Sequence, residues 1–463
     1  MPDATNDTFK SLNGKRVLVL GAGRTGHAVA ESLRDRVKSL RLADDQAPKY
    51  TDAPAYKQLG LEVELPENLV SAIAGFDLIV VSPGVPSDHF LVRLADAQGV
   101  EVIAEIELAY RLSPYPICAV TGTNGKSTVA ALIAKMLQIG ELDAVLCGNI
   151  SADAAKLPLI AAVTAPPKEK PRILCAEISS FQLERCPTFA PMIGVLTTLG
   201  QDHLDRYNSV QGYWAAKRKM FANQSADQLA IHNADQPEQT ELLAGLAAMQ
   251  RTYSLRSVLS EGAFMDGGTL FLADNEYVQR ICHVSELQLI GRHNIANVLA
   301  ASLAAYFAGA PVAAVRQASL EFQPLPHRLE KVAVIRNVSY INNSMCTNPQ
   351  AAVASLNAFS ENLVVIAGGA GKNLDIGPML DGLARQAKYV VLIGSEAEQV
   401  RNGLLRRGFN AVTTADSLED AVLVAARHAE AGDVVILNPG FASFDQFRDF
   451  EDRGEKFRRC VQS

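Results

Sequence analysis

Thr121-Gly122-Thr123-Asn124-Gly125-Lys126-Ser127-Thr128 decides how this chain is read. Ile117-Cys118-Ala119-Val120 before it is a short apolar run and predicts a buried parallel strand, while Val129 to Leu137 after it has helical spacing. Strand, glycine-rich turn with Lys-Ser, then helix is the setting a phosphate loop needs. The glycines let backbone N–H groups approach a polyphosphate, and the helix N-terminus adds unpaired donors and a partial positive charge. Lys126 can reach terminal phosphates and Ser127 can ligate Mg²⁺. The general pattern has glycine five residues before Gly125, and Val120 stands there instead, so this is a variant loop.

Around that stretch lie 463 residues, too many for one core, with 48% hydrophobic and 20% charged side chains, as in a globular enzyme. A formal net charge of -7 argues against a broad nucleic-acid-binding surface, so anionic ligands must be met by local cations and helix N-termini. The seven cysteines are scattered, without a C-x-x-C pair, which predicts reduced thiols and a cytoplasmic protein. Met1-Pro2-Asp3-Ala4-Thr5 carries no basic or apolar leader pattern, and no apolar run reaches the length of a membrane span.

Upstream, Lys15 to Leu20 predicts a strand, Gly21-Ala22-Gly23-Arg24-Thr25-Gly26 a turn, and about His27 to Leu33 a helix. This is G-x-G-x-x-G in a dinucleotide setting, with Asp44 ending the next strand where a ribose-binding acid is expected. Taken alone it suggests NAD or FAD, although the same turn can hold any diphosphate. Strands at Phe76–Val81 and Val100–Ile103 complete a first α/β unit, and Ser113-Pro114-Tyr115-Pro116 predicts a linker. Downstream, a buried strand from Arg172 to Ala176 delivers Glu177 at its C-terminal end, placed to serve Mg²⁺ beside the loop. Ala165-Pro166-Pro167 opens a polar surface loop, and a strand from Met192 to Thr198 leads into Asp202-His203-Leu204-Asp205-Arg206-Tyr207. Tyr213 to Lys219 is helical, about Arg251 to Val284 predicts a β-rich excursion, and Gly291-Arg292-His293-Asn294 opens an Ala-rich helix. Strands at Val338–Asn343, Leu363–Ala367, Tyr389–Ile393 and Asp433–Leu437 alternate with helices as a second doubly wound unit.

In this order the motifs resemble the Mur ligase family over nearly the whole chain. The resemblance rests on Gly21 to Gly26, Thr121 to Thr128, Glu177-Ile178-Ser179-Ser180-Phe181-Gln182-Leu183-Glu184, Asp202 to Tyr207, Ala215-Ala216-Lys217, His293-Asn294-x-x-Asn297 and Pro326-His327-Arg328. Gly368-Gly369-Ala370-Gly371-Lys372-Asn373 and Ala442 to Phe447 close it. It implies three α/β domains: a Rossmann-like one at 1–113 for UDP, a central P-loop ATPase-like parallel sheet at 114–324, and a Rossmann-like one at 325–463 for an amino acid. The implied activity joins glutamate, as the D-enantiomer, to UDP-N-acetylmuramoyl-L-alanine at the expense of ATP in cytoplasmic peptidoglycan precursor synthesis. The remote alternatives are an NAD-dependent oxidoreductase and an inactive Mur-like binding protein.

The resemblance also implies roles. Gly23, Arg24, Thr25, Gly26 and Asp44 would hold UDP, and Asn149 and His203 would touch the muramoyl substrate. Gly122, Thr123, Asn124, Gly125, Lys126, Ser127, Thr128, Asn294, Asn297 and Asn343 would hold ATP, with Arg328 at the ribose. Thr347, Lys372, Ser443 and Phe450 would hold glutamate. Two Mg²⁺ ions would be served by Ser127, Glu177, His203 and Lys217, the last N-carbamylated. The catalytic set would be Lys126, Glu177, His203 and Lys217, in a monomer without nucleic-acid or membrane partners. Where the glutamate-adding branch has Asp-Ser-Lys-Ala-Thr-Asn, this chain has Asn343-Ser344-Met345-Cys346-Thr347-Asn348, and where the branch has Ser-Pro it has Asn438-Pro439. These departures leave L-glutamate or another acidic amino acid open as alternatives.

Overall fold

Three sheets follow one another along the chain, each built around buried Val/Ile/Leu runs of the kind a two-sided parallel sheet requires. The computed structural model describes residues 12–150, 157–166, 168–203, 206–275, 277–372 and 374–463. The expectations touching Met1 to Thr5, Pro167, Leu204, Asp205 and Asn373 fall outside the described residues.

The first sheet comprises β1 (Arg16–Leu20), β2 (Ser39–Ala43), β3 (Val63–Glu64), β4 (Leu78–Val81) and β5 (Val102–Ala104). Its order is β3-β2-β1-β4-β5, all parallel. The order reverses at β1, so the Gly21–Gly26 turn leaves that strand at the switch point, where an α/β sheet opens a crevice.

The second sheet runs β14-β13-β12-β11-β10-β9-β6-β8-β7. Its strands are β6 (Ile117–Thr121), β7 (Asp143–Gly148), β8 (Arg172–Glu177), β9 (Ile193–Leu196), β10 (Leu229–Asn233), β11 (Met249–Ser254), β12 (Gly262–Asp266), β13 (Thr269–Asp274) and β14 (Tyr277–His283). From β7 to β12 the neighbours are parallel; β12, β13 and β14 then pair antiparallel, which is the expected β-rich excursion. β6 lies between β9 and β8, and its register with β8 pairs Val120 with Glu177. That pairing sets the acid beside the first residues of the phosphate loop.

The third sheet holds β15 (Glu330–Ile335), β16 (Val338–Asn342), β17 (Leu363–Gly368), β18 (Ala387–Ile393), β19 (Val412–Thr414) and β20 (Val434–Leu437). The order is β15-β16-β20-β17-β18-β19, parallel except for β15.

Both helices after the glycine turns begin earlier than expected, at Arg24 and at Lys126 instead of His27 and Val129. Apolar periodicity marks only where a helix becomes buried. The preceding turn carries the unpaired N–H groups and is polar because it faces a crevice.

Packing separates the units unequally. One apolar cluster continues from Val17 and Ile106 of the first unit through Ile117 and Leu174 to Ala248 of the central one. The clusters on either face of the third sheet are separate. The third unit meets the central one through polar pairs, among them Arg328–Ser127, Lys372–Asp202 and Asn348–Asn124. The cysteines are free thiols, all buried except the half-buried Cys460. Among the described residues no helix is long and apolar enough to cross a membrane.

Candidate active site

The phosphate loop is pressed between two elements. A Cβ on Gly122 (φ +146) would stand 2.0 Å from Thr197 Oγ1, and one on Gly125 (φ +88) would stand 2.4 Å from Asn297 Oδ1. Glycine is therefore required at both positions by space as well as by conformation. Thr197 Oγ1 donates to Asn124 O at 2.6 Å, and Asn124 N–H donates to Thr198 Oγ1 at 2.9 Å. The missing first glycine has a simple reason: Val120 still lies in β6, fully buried, one residue before the chain turns.

Charged side chains converge on this loop from five other segments. Lys126 Nζ donates to Thr123 O at 3.1 Å. Ser127 Oγ donates to Glu177 Oε2 and accepts from Arg328 Nη2 at 2.6 Å. Lys217, only 1% exposed, donates from Nζ to Gly122 O at 2.8 Å and lies 4.2 Å from the centre of the Tyr213 ring. Asp202 Oδ1 accepts from Lys372 Nζ at 3.4 Å and from His203 N–H at 2.9 Å. The His203 ring packs edge-on against Phe181, its Nε2 3.9 Å from Asp202 Oδ2.

Burial dominates the electrostatics. It depresses the Lys126 ammonium, with Glu177 opposing and Arg328 reinforcing the shift. It drives Lys217 well below the usual lysine range, helped by Lys126 and opposed by Asp202 and Glu177. It also lowers Arg328, whose Nε has no partner among the described residues. Among the described residues, Lys126, Arg328, Lys372 and the Lys217 amine face Glu177 and Asp202, with Glu451 also acting on Arg328. Cations gathered at the loop, with an orphaned guanidinium N–H among them, fit a polyanionic ligand.

A cavity of about 860 Å³ opens over this cluster. It is lined by Thr123 to Thr128, Glu177, His203, Asn294, Asn297, Arg328 and Asn343, and on the far wall by Thr347, Lys372, Ser443 and Phe450. The residues expected for ATP and for an amino acid therefore share one chamber, except Gly122, whose carbonyl is turned to Lys217. Arg328, expected at a ribose, lies with its guanidinium on Ser127, at the Glu177 end of the loop. The left-handed residues His327 (φ +62) and Leu329 (φ +50) flank it and aim it there.

A second cavity of about 560 Å³ lies between the first and central units, lined by Gly23, Arg24, Thr25 and Asp44 together with Asn149 and Gln182. Gly26 is not in its wall: a Cβ there would fall 1.8 Å from Gly21 O, so this glycine packs the turn from beneath. Asp44 accepts Ala22 N–H at 2.7 Å and Gln46 N–H at 2.8 Å, bracing the turn from the next strand. Asn149 lines both cavities, its N–H held by Glu177 O at 2.8 Å.

Sequence reasoning missed several residues. Glu105, buried in the wall of the second cavity, accepts Ile160 N–H at 2.7 Å and is pushed up to about 7 by burial. Arg453, fully buried, donates to Ser344 Oγ and to the carbonyls of Ser344, Phe441 and Ala442. Neither stands in a motif, and only three-dimensional neighbours reveal them. Asn343 is engaged inside the third unit: its amide donates to Ser355 Oγ at 2.8 Å and to Asn438 Oδ1 at 2.9 Å, and its Oδ1 accepts Leu329 N–H at 3.1 Å. Among the described residues no group of three or more His, Cys, Asp or Glu could hold a metal by itself.

Residues 15–104 match the MurD-like N-terminal domain of Mur ligases, 120–305 the Mur ligase middle domain, and 327–441 the Mur ligase glutamate ligase domain. The UDP-N-acetylmuramoylalanine--D-glutamate ligase of Pelotomaculum thermopropionicum is 38% identical, over 98% of this chain and 99% of its own. The enzyme of the same name from Acidobacterium capsulatum is 37% identical, over 97% of this chain and 96% of its own. Two Thermotoga maritima structures share the fold: the UDP-N-acetylmuramate-alanine ligase MurC at 19% identity, TM-score 0.60 and coverage of 97% and 99% of the two chains, and the ligase MurF in complex with ADP at 14% identity, TM-score 0.60 and coverage of 98% and 96%. These matches remove the nicotinamide-dependent oxidoreductase reading, which rested on Gly21 to Gly26 alone. With three domains matched in order and relatives aligned nearly end to end, the chain belongs to the Mur ligase family, on its MurD-like branch.

Proposed function

We propose that this protein joins D-glutamate to UDP-N-acetylmuramoyl-L-alanine with hydrolysis of ATP to ADP and phosphate. The observation that carries the reading is the junction of the two cavities at Asn149. A nucleotide-sugar held by the Gly23–Thr25 turn can run past Asn149 and bring a terminal carboxylate to the cation cluster around Lys126. The relatives' names supply the identity of the sugar and the amino acid.

The side chains then divide the work. The N–H groups at Gly125 to Thr128 and Lys126 hold the ATP phosphates, and Asn294 and Asn297 fix the nucleotide side of the loop. The substrate carboxylate attacks the γ-phosphorus, ADP leaves, and Lys126 and Arg328 balance charge on the phosphoryl group in transit. Lys372, Thr347 and Ser443 hold the carboxylates of glutamate so that its amine attacks the acyl carbon; phosphate departs and the amine loses a proton. Holding three substrates in one chamber supplies much of the rate.

Ser127 and Glu177 offer the hard oxygen ligands that Mg²⁺ shares with phosphate, and His203 and Lys217 are assigned to a second ion. Bound there, Mg²⁺ would neutralise phosphoryl charge. Burial disfavours the charged form of the Lys217 amine, and the neutral amine is the form that adds CO₂ and releases a proton to give a carbamate.

The test is ADP release with UDP-N-acetylmuramoyl-L-alanine and D-glutamate, L-glutamate or D-aspartate, with product mass determined. Release coupled to a D-glutamyl product is expected. A different preferred amino acid would move specificity to the Asn343–Met345 segment, and no substrate-dependent release would refute the ligase reading.

A further inference from the structure

Three phenylalanines lie within residues 441–447, and they are used differently. Phe441 is buried and Phe447 packs under Lys456, whereas Phe444 is 75% exposed and lines the mouth of the larger cavity beside Ser443. Leaving such a side chain in water forgoes about 2 kcal/mol of burial.

The turn that carries Phe444 is fixed on both sides. Before it, Ala442 and Ala370 exchange backbone hydrogen bonds at 2.9 and 3.1 Å, tying this turn to the one that bears Lys372. Arg453 holds the carbonyls of Phe441 and Ala442 at 3.2 and 3.3 Å. After it, Phe447 N–H closes on Ser443 O at 2.9 Å, and Asp445 Oδ2 accepts Ser395 N–H at 2.9 Å. The backbone that carries Phe444 is thus braced on both sides, and the turn cannot fold back without breaking these bonds. An exposed aromatic ring carried by a fixed turn in the wall of a polar chamber is placed to be covered by what enters it.

We propose that Phe444 caps the amino-acid end of the chamber and excludes water from the acyl phosphate. The proposal rests on the ligase reading above. The acyl phosphate has two fates. If the glutamate amine attacks the acyl carbon, an amide forms and phosphate leaves. If water attacks instead, the carboxylate is regenerated and phosphate leaves, so ATP is spent with no amide made. A ring held over the reacting carbon on the solvent side admits the amine, which Lys372 and Ser443 anchor by its carboxylates, and shuts out bulk water.

The experiment compares wild type, Phe444→Ala and Phe444→Leu for ADP released per amide formed, for ADP release without an amino acid, and for KM of the amino acid. Wild type should release one ADP per amide. Phe444→Ala should raise that ratio about 5-fold, with Phe444→Leu between, because a smaller apolar cap leaks more water. Thermal midpoints should be unchanged, since the side chain is exposed. A ratio that stays at one in Phe444→Ala overturns the proposal, even if KM rises, because the ring would then serve binding alone. If Phe444→Ala is destabilised, the ratio in Phe444→Leu decides in the same way. Absence of coupled ADP release in wild type would instead refute the ligase reading and this proposal with it.

Discussion

The chain makes the same local object twice and uses it differently. Gly21–Gly26 and Thr121–Thr128 are both glycine-rich turns between a parallel strand and a helix, at the C-terminal edge of a sheet. Around the first, the neighbours are braces: Asp44 accepts two backbone N–H groups, and Ser82 Oγ donates to Gly21 O at 2.9 Å. Around the second, neighbouring segments deliver Glu177, Asp202 and Arg328 to one chamber and set the buried Lys217 on Gly122 O behind the loop. The turn alone makes a diphosphate cradle; what adjoining strands bring to it makes a reaction centre.

The largest expected effect separates the two turns. Lys126→Ala should lower kcat by about 10³-fold, as loss of a cation acting on phosphoryl charge in transit does, with KM for the UDP-substrate little changed. Gly23→Ala should do the reverse, raising that KM with kcat kept, since a Cβ there meets nothing within 4 Å and can intrude only on a ligand. Steady-state kinetics on both variants checks this, and equal effects on kcat would erase the distinction. Lys217→Ala belongs with Lys126: kcat should fall about 10²-fold, and short carboxylates such as acetate should restore part of it. Full activity in the unsupplemented variant would refute the carbamate role.

The next effect sharpens the contrast within the first turn. Gly26→Ala puts a Cβ 1.8 Å from Gly21 O, a backbone atom that cannot step aside. The fold should lose roughly 3 kcal/mol and melt lower, whereas Gly23→Ala should melt like wild type. Calorimetry on the two glycine variants decides, and matched midpoints would mean the turn relaxes.

Sequence alone exposed the two turns, the strand that ends in Glu177, and the alternation that fixes three α/β units, because those depend on neighbours within a few residues. The residues implied for nucleotide and amino acid lie mostly in one chamber. What was illegible depends on surroundings that local apolar periodicity does not report. The first helical turns at Arg24 and Lys126 carry no apolar signal. Asp44, expected at a nucleotide, lines the smaller cavity and in addition braces Ala22 N–H across the turn, a contact the sequence does not show. Nothing in the sequence singles out Arg453 on the final helix, where it lies buried among carbonyl oxygens.

The smallest effect concerns how the third unit supplies the second turn. Asn343 and Asn438 look like separate departures from the branch pattern, 95 residues apart, yet they hydrogen-bond at 2.9 Å. Asn343 Oδ1 also holds Leu329 N–H, so this pair helps fix the strained segment that aims Arg328 at Ser127. Asn343→Asp keeps that acceptor but loses both donors and sets a carboxylate against Asn438 Oδ1. The amide of Asn438 cannot simply rotate, because its Nδ2 already donates to Ala352 O at 3.1 Å. The single change should therefore cost about 2 kcal/mol of stability. Asn438→Ser in the same chain offers a hydroxyl donor to the new carboxylate and should recover about 1 kcal/mol, a coupling that a double-mutant cycle of melting measurements can resolve. Recovery would mean that the two departures form one compensated unit supporting Arg328. Strict additivity would mean that each is tolerated alone and that the delivery of Arg328 to the second turn does not depend on the pair.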